Sequence, residues 1–350
     1  MTSSTSAPLI NAFHMVDAAS MGAVTRVPAS DVTRDAAIWV ERADSKRLEQ
    51  IDAEWGDLVA RASEPNVFMH PAVVQSLGDN VVTLLAWQET GGILQLVGMW
   101  AFVIARLAFV QVLRSPPFVH AYLATPVIDR QRVEGVLAAM LDYIQQARGL
   151  PKLISLDPIR LDGPTMRALS AVARERGGAE RTITSAVRPV LISDLDGKQY
   201  FEKALSSSSR KKLRQHRRRL EEKGALDCVI HTAPNEVETT FEDFLKLEQA
   251  GWKGKRGTAL LSHQNDADLA RKMVSGLARN GAVSIHAIYQ HGKPVAAQLV
   301  WRAGAAAFTW KTAYDEALGD YSPGMLLLEN YTTAFLADRS IAMVDSCALV

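Results

Sequence analysis

The chain has 350 residues, 48% of them hydrophobic and 22% charged, a soluble globular composition long enough for two ordinary domains. Its formal net charge of +1 provides no global field to attract nucleic acid, so DNA is not an expected partner and any basic effect must be local. Cys228 and Cys347 are too far apart for a metal-type spacing and read as free thiols in a reducing cytoplasm.

The first 44 residues, rich in Ser, Thr and Ala, lack an apolar period and read as a flexible extension with no secretory signal. Helices are expected over Ser45 to Ala62 and Pro71 to Leu77. Strands follow over Val81 to Gln88, Ile93 to Ile104 and Leu107 to Leu113, the first two joined by a Gly91-Gly92 turn. The acid- and base-free run Thr90 to Ala105 is shorter than the roughly 20 residues a membrane span needs, and Arg106 ends it, so buried strands are expected and no span. A loop with Pro116-Pro117, a helix from Arg130 to Ala147 and a strand Lys152 to Leu156 complete the first half.

The second half repeats that order. Helices Glu236 to Ala250 and Asp266 to Arg279 precede strands Val283 to Tyr289, Pro294 to Trp301 and Ala305 to Lys311. A helix Pro323 to Ala337 and a strand Ile341 to Val344 then follow. Two helices, three antiparallel strands, a helix and a strand is the order of the GNAT acetyltransferase core. The expected domains are therefore 45–190 and 191–350, both α/β with mixed, mostly antiparallel sheets flanked by helices.

Between the copies, Val187 to Leu195 reads as a strand and Gly197 to Leu205 as a short helix. A basic helix over 206–223 follows, within the run SSSSRKKLRQHRRRLEEKG from Ser206 to Gly224. It fits either a phosphate-binding stripe for a nucleotide tail or RNA, or a solvated helix resting on Leu213 and Leu220.

Three clusters carry candidate chemistry. At Ser322-Pro323-Gly324, Ser322 is a natural N-cap, and the amides of Gly324, Met325 and Leu326 would offer a phosphate receptor at the positive end of a helix. In Glu248…Gly251-Trp252-Lys253-Gly254-Lys255-Arg256-Gly257, cations among glycines fit an anion-clamping lid with Trp252 as its wall. Glu248 beside Trp252 reads as a general base of raised pKa, or as a plain surface carboxylate. Lys311, Tyr314 and Asp315 are expected at the cleft mouth, Lys311 on an anion and Tyr314 as acid toward a leaving thiolate. Asp345 would orient the acceptor. No HExxH, GxSxG, GxxxxGK[ST] or GxGxxG occurs, which removes the motif support for metal hydrolases, serine hydrolases, P-loop enzymes and Rossmann oxidoreductases.

Trp55-Gly56-Asp57-Leu58, Glu64-Pro65-Asn66-Val67-Phe68-Met69-His70-Pro71, Ser209 to Arg214, Arg217 to Leu220, the Glu248 to Ala259 motif, Gly292 to Ala297, Lys311 to Glu316 and Ser322 to Gly324 together resemble the CelD/BcsL acetyltransferases of the GNAT superfamily. The resemblance spans roughly 50–350 and implies tandem GNAT folds, laid out like the FemAB peptidoglycan aminoacyltransferases, with the donor site in the second. It implies transfer of an acetyl or other acyl group from acyl-CoA to an amine or hydroxyl of a sugar or polysaccharide precursor, without a metal. The alternatives are an aminoacyl-tRNA donor or a non-catalytic interaction protein. Unlike the family's usual pyrophosphate loop, this one offers a single glycine, Gly324, and the chain runs six residues past Val344, short of the further strands of a complete core.

Overall fold

The computed structural model describes residues 37–78, 80–116 and 123–348. They fall into two compact units that meet in sequence at Ser185 and Ala186. Residues 1–36 of the expected extension and Pro117 of the expected loop lie outside the described residues.

The N-terminal unit opens with β1 (Trp39–Ala43), inside the stretch expected to be a loose extension. β1 pairs antiparallel with β2 (Val81–Thr90), placing Trp39 opposite Trp87, and the two rings stack at 6.1 Å. This cross-strand aromatic pair fixes a strand whose short, mixed sequence gives no clear period. The expected first helix is broken into α1 (Ser45–Leu48) and α2 (Asp52–Ala60), with α3 (Pro71–Ser76) after them. β2, β3 (Ile93–Leu107) and β4 (Val110–Arg114) form a meander, and the two residues of β5 (Val127–Ile128) also pair with β3. Helix α4 (Val133–Gln146) buries Val136, Leu137, Met140 and Ile144, a stripe of helical period. β6 (Ile154–Ser155) then adds parallel to β4, and α5 (Pro164–Glu175) closes the unit.

The Glu64 to Pro71 motif is structural. Glu64 Oε2 accepts the Thr165 amide at 2.9 Å and so caps α5 from 101 positions away; a Cβ on Gly163 would stand 2.3 Å from the Glu64 carboxylate. Asn66 Oδ1 accepts the Phe68 N–H at 3.0 Å, while its amide donates to the carbonyls of Leu123 and Thr125. His70 Nδ1 accepts the Ala72 N–H at 3.1 Å and caps α3. Burial lowers the His70 pKa to about 4, which keeps the ring in the neutral form that this cap requires.

The C-terminal unit holds a six-stranded sheet. β7 (Val190–Leu191) is much shorter than the expected strand 187–195, because only two residues pair with β12 (Met343–Asp345). From there the order is β12, β11 (Ala306–Tyr314), β10 (Lys293–Ala303), β9 (Val283–Gln290) and β8 (Leu226–His231). All neighbours are antiparallel except β11 and β12. β8, like β1, is an edge strand not read from the sequence; four of its six residues are exposed, so no buried alternation marks it.

Helices α6 (Gly197–Ala204), α7 (Ser207–Glu221), α8 (Pro234–Ala250), α9 (Trp252–Lys255), α10 (Gln264–Arg279) and α11 (Pro323–Ala337) complete the unit. The basic α7 is docked. Leu213 and Leu220 enter the core beside α11, Arg217 pairs with Glu329 at 3.2 Å, and Gln290 Nε2 holds the Leu220 and Gly224 carbonyls. Lys211, Lys212, Arg214, Arg218 and Arg219 remain exposed.

The two sheets share a five-strand pattern, to which the first adds β5 and the second β7. In each, an edge strand pairs with the first strand of a meander, and a helix leads from the meander to a strand parallel to its third member. No helix among the described residues is long and apolar enough to cross a membrane.

Gly98 on β3 lets α4 lie close, since a Cβ there would stand 2.5 Å from Val136 Cγ1 and 3.2 Å from the Met140 methyl. Gly98→Ala should therefore cost about 1–3 kcal/mol by overpacking, read as a lower urea midpoint with unchanged slope. An unshifted midpoint would show that α4 yields freely.

Candidate active site

β11 pairs with β12 only from Ala306 to Phe308, opposite Met343 to Asp345, and from Thr309 to Tyr314 its one strand partner is β10. Phe308 opposite Asp345 is the apex of a fork. Opposite the far limb, the β10 register skips from Leu299–Lys311 to Val300–Thr309, leaving Trp310 as a bulge. Asp315 donates its N–H to Val295 of β10 at 2.9 Å, and by strand alternation Thr312 and Tyr314 turn their amides to the opposite, unpaired edge.

Asp345 sits at the apex and is not free to hold an acceptor. It is buried, its Oδ1 lies 2.6 Å from Arg188 Nε and accepts the Cys347 N–H at 2.7 Å, and its carbonyl accepts from Thr309 Oγ1. The buried Cys347 thiol is pushed well above its ordinary pKa by burial and then by the Asp345 charge, so it is no nucleophile.

Glu248 is likewise not an open base. On α8 the buried positions run Val237, Thr240 and Phe241, Phe244 and Leu245, then Glu248, so the carboxylate occupies the next step of an apolar stripe. It is 2% exposed. Oε1 meets Lys253 Nζ at 3.1 Å and Lys311 Nζ at 3.4 Å, and Oε2 accepts the Leu260 N–H at 2.8 Å. Trp252 does not cover it: its ring is 43% exposed and lies under the Arg256 guanidinium at 5.0 Å. The premise of a carboxylate shielded by an indole and open to substrate fails, because two ammonium groups and a backbone amide already occupy its oxygens.

Lys311 is correspondingly buried in the sheet rather than placed at a cleft mouth. Burial, then the neighbouring Lys253 charge against the pull of Glu248, lowers its pKa to about 8. Lys253 bridges outward, donating to the Thr312 carbonyl at 3.0 Å as well as to Glu248. It thereby reaches the unpaired edge of β11.

The glycine-rich turn serves this arrangement. A Cβ on Gly254 would fall 1.8 Å from the Gln249 carbonyl oxygen, so glycine there permits backbone to cross backbone rather than to approach an anion. Glu316, present in the sequence motif but assigned no role there, ties the turn down: its carboxylate accepts the Trp252 N–H and pairs with Lys255 Nζ at 2.6 Å. The Lys255 hydrogen bond holds the Glu316 carboxyl below its usual pKa. Lys255 is thus a tether, and Arg256 on the exposed Trp252 face has no carboxylate partner among the described residues.

The start of α11 also differs from expectation. Ser322 adopts a left-handed φ of 51° and makes no side-chain cap. Its carbonyl instead takes the N–H groups of Met325 at 2.9 Å and Leu326 at 3.2 Å, which removes two of the three expected phosphate donors. The Gly324 N–H has no partner among the described residues. Tyr314 fills the space where a Gly324 side chain would be, its Cδ1 3.2 Å from that Cβ position. Asp315 Oδ1 caps the Ala317 N–H at 2.9 Å, leaving Oδ2 without a partner among the described residues. For a pyrophosphate this helix start supplies one amide; for an extended amide-bearing arm, the unpaired edge of β11 supplies strand-type partners. The described residues contain no cluster of three or more His, Cys, Asp or Glu arranged to hold a metal.

Two GNAT folds in tandem therefore make up the described chain. Residues 207–348 match the family model described as an acetyltransferase (GNAT) domain. Among solved structures the chain is similar to FemX, with 10% identity and a TM-score of 0.56 over 84% of this chain and 86% of that one. It is also similar to the C-terminal DUF2156 domain of a putative lysylphosphatidylglycerol synthetase from Agrobacterium fabrum, at 11% identity, coverage of 85% and 78%, and TM-score 0.49. A tandem GNAT protein from the clavulanic acid biosynthesis pathway matches at 13% identity, coverage of 88% and 89%, and TM-score 0.42. No curated protein sequence matches the chain.

Removing the central carboxylate separates a clamp from a base. Glu248→Gln keeps an acceptor for Leu260 but leaves Lys311 buried beside Lys253, and should cost about 3–5 kcal/mol in urea unfolding. A base would instead lose turnover with stability intact.

Lys311 also sets a pH signature. Below about pH 8 the ammonium is charged in both folded and unfolded chains, and its burial cost is fully present. Between about 8 and the unfolded value of 10.5 the unfolded chain holds the proton and the folded one releases it, so stability rises with pH. Lys311→Met should flatten that rise between pH 8 and 10; an identical slope in both proteins would place the titration elsewhere.

Proposed function

We propose that the C-terminal unit transfers an acyl group, with acetyl the first candidate, from acyl-CoA to an amine or hydroxyl of a saccharide or polysaccharide precursor. The observation that carries this reading is the fork: β11 continues past its last pair with β12, and the amides of Thr312 and Tyr314 face the opening. The GNAT match over 207–348 covers every element of the fork. The saccharide acceptor rests on the resemblance to the CelD/BcsL enzymes.

In this reading the donor arm lies along the free limb of β11 as an extra strand would, and its thioester supplies an activated carbonyl. An outward amide of that limb polarises the carbonyl oxygen, and the acceptor attacks directly. The glycine at 324 lends its single N–H to the phosphate end. Tyr314, lying on the start of α11, donates a proton to the departing thiolate. Asp315 takes the acceptor proton, because its Oδ2 is uncommitted whereas Glu248 and Asp345 are held by cations. Trp252 and Arg256 form the exposed face toward the acceptor, and Lys253 keeps the β11 edge in place through Thr312.

The exposed cations of α7 favour one second reading, an aminoacyl-tRNA donor held by its phosphates. Thermal denaturation with acetyl-CoA, longer acyl-CoAs and tRNA distinguishes the donors. Acetyl-CoA at a hundred times its Kd should add about 2.7 kcal/mol, and Asp315→Asn should cut thiol release while leaving that stabilisation intact. Stabilisation by tRNA alone, steeply weakened by salt, would replace this donor assignment; no response to either would leave a fold used only for interaction.

A further inference from the structure

The β3–β4 hairpin of the N-terminal unit ends in a bare apolar tip. Leu107 pairs with Val110, and the two-residue turn between them is Ala108-Phe109. Phe109 is 99% exposed, Leu107 56%, Val110 55% and Ile104 41%. Tight hairpin turns ordinarily take Gly, Asn or Asp, which tolerate positive φ and face water. Here Ala108 stands at φ 52°, a conformation that disfavours a side chain, and none of the four tip residues is polar. Turn chemistry and solubility both argue against this sequence unless the tip is covered.

Charge indicates what covers it. No Asp or Glu occurs between Glu89 and Asp129, so β3, β4 and their turn carry cations alone. Arg106 and Arg114 are both exposed on the hairpin, Arg106 directly behind the tip. The tip is also small and projects as the end of a ribbon. A stable protein interface takes some 20–30 residues on each side, whereas a bilayer accepts a few apolar side chains at its headgroup boundary, about 5–10 Å deep. Basic residues behind such a tip are drawn to anionic headgroups.

We infer that the Leu107-Ala108-Phe109-Val110 tip inserts into the interface of an anionic lipid bilayer, with Arg106 and Arg114 on the headgroups. With two cations and one short tip the association is weak and reversible. It requires no spanning segment, and it is independent of the chemistry assigned to the C-terminal unit.

Flotation of the full chain with phosphatidylcholine vesicles, with and without phosphatidylglycerol, tests this. The chain should float with the anionic vesicles and lose that association as salt rises. Leu107→Ser combined with Phe109→Ser should weaken it at least about tenfold, since the side chains that leave water are gone. Arg106→Gln should weaken it about fivefold. All three positions are exposed, so melting temperatures should match the parent and unfolding cannot account for the loss. Failure of the parent chain to float, or flotation unchanged in the double serine variant, overturns the inference. So does concentration-dependent self-association that the double variant abolishes without any vesicle binding, because the tip would then be covered by a second copy.

Discussion

A buried carboxylate organises the candidate site. Glu248 sits where an apolar residue would otherwise continue the inner stripe of α8, and its charge is tolerated because every approach to it is taken by a donor. Through those donors one side chain joins α8, the α9 turn, the backbone at Leu260 and strand β11. Such a cluster contributes little net stability over a well-packed apolar one, since desolvating three charges offsets their attraction. What it supplies is geometry. Lys253 can hold the Thr312 carbonyl only while Glu248 holds Lys253, so the position of the unpaired β11 edge depends on a residue that never reaches it.

The fork in the sheet follows from chain direction. β11 and β12 are parallel and joined by α11, and β12 stops after three residues because the chain turns at Asp345 to meet Arg188 and Cys347. The remaining limb of β11 keeps its β10 partner, but among the described residues no strand pairs with its other side. Unpaired strand amides are costly unless water or a ligand takes them, which is the physical basis for the donor placement proposed above. The bulge at Trp310 increases local twist just beyond the apex.

The N-terminal unit repeats the architecture with different contents. Its parallel pair, β4 and β6, joins over two residues, and its motif Glu64 to Pro71 is consumed in capping α3 and α5 and in tying down Leu123 and Thr125. Side chains that look chemical in the sequence (a Glu, an Asn and a His within seven positions) are there because helix ends buried in this unit need partners. Its own unsolved polarity problem lies at the β3–β4 tip, where apolar residues replace turn formers.

Much of this was legible from the chain alone. Hydrophobic period and glycine punctuation place the meander strands 81–107 and 283–314 and the helices 236–250, 266–279 and 323–337 within a few residues, because those elements bury one face and their pattern records it. The duplicated order, and with it the tandem GNAT fold, follows from that pattern. The helical period even carried the clue to Glu248, three and four residues beyond Leu245 and Phe244 on the buried stripe. Edge strands β1 and β8 left no such record, since a strand half in water needs no alternation. The roles of polar residues were decided only by tertiary packing: whether a carboxylate is a base or an anchor depends on which cations reach it, and those arrive from positions 5 and 63 residues away. Likewise, Ser322 looks like a cap in sequence, but its left-handed backbone turns the carbonyl, not the hydroxyl, onto the helix amides. Local sequence determines which elements form; the charges and backbone groups that meet across them determine what each polar side chain is free to do.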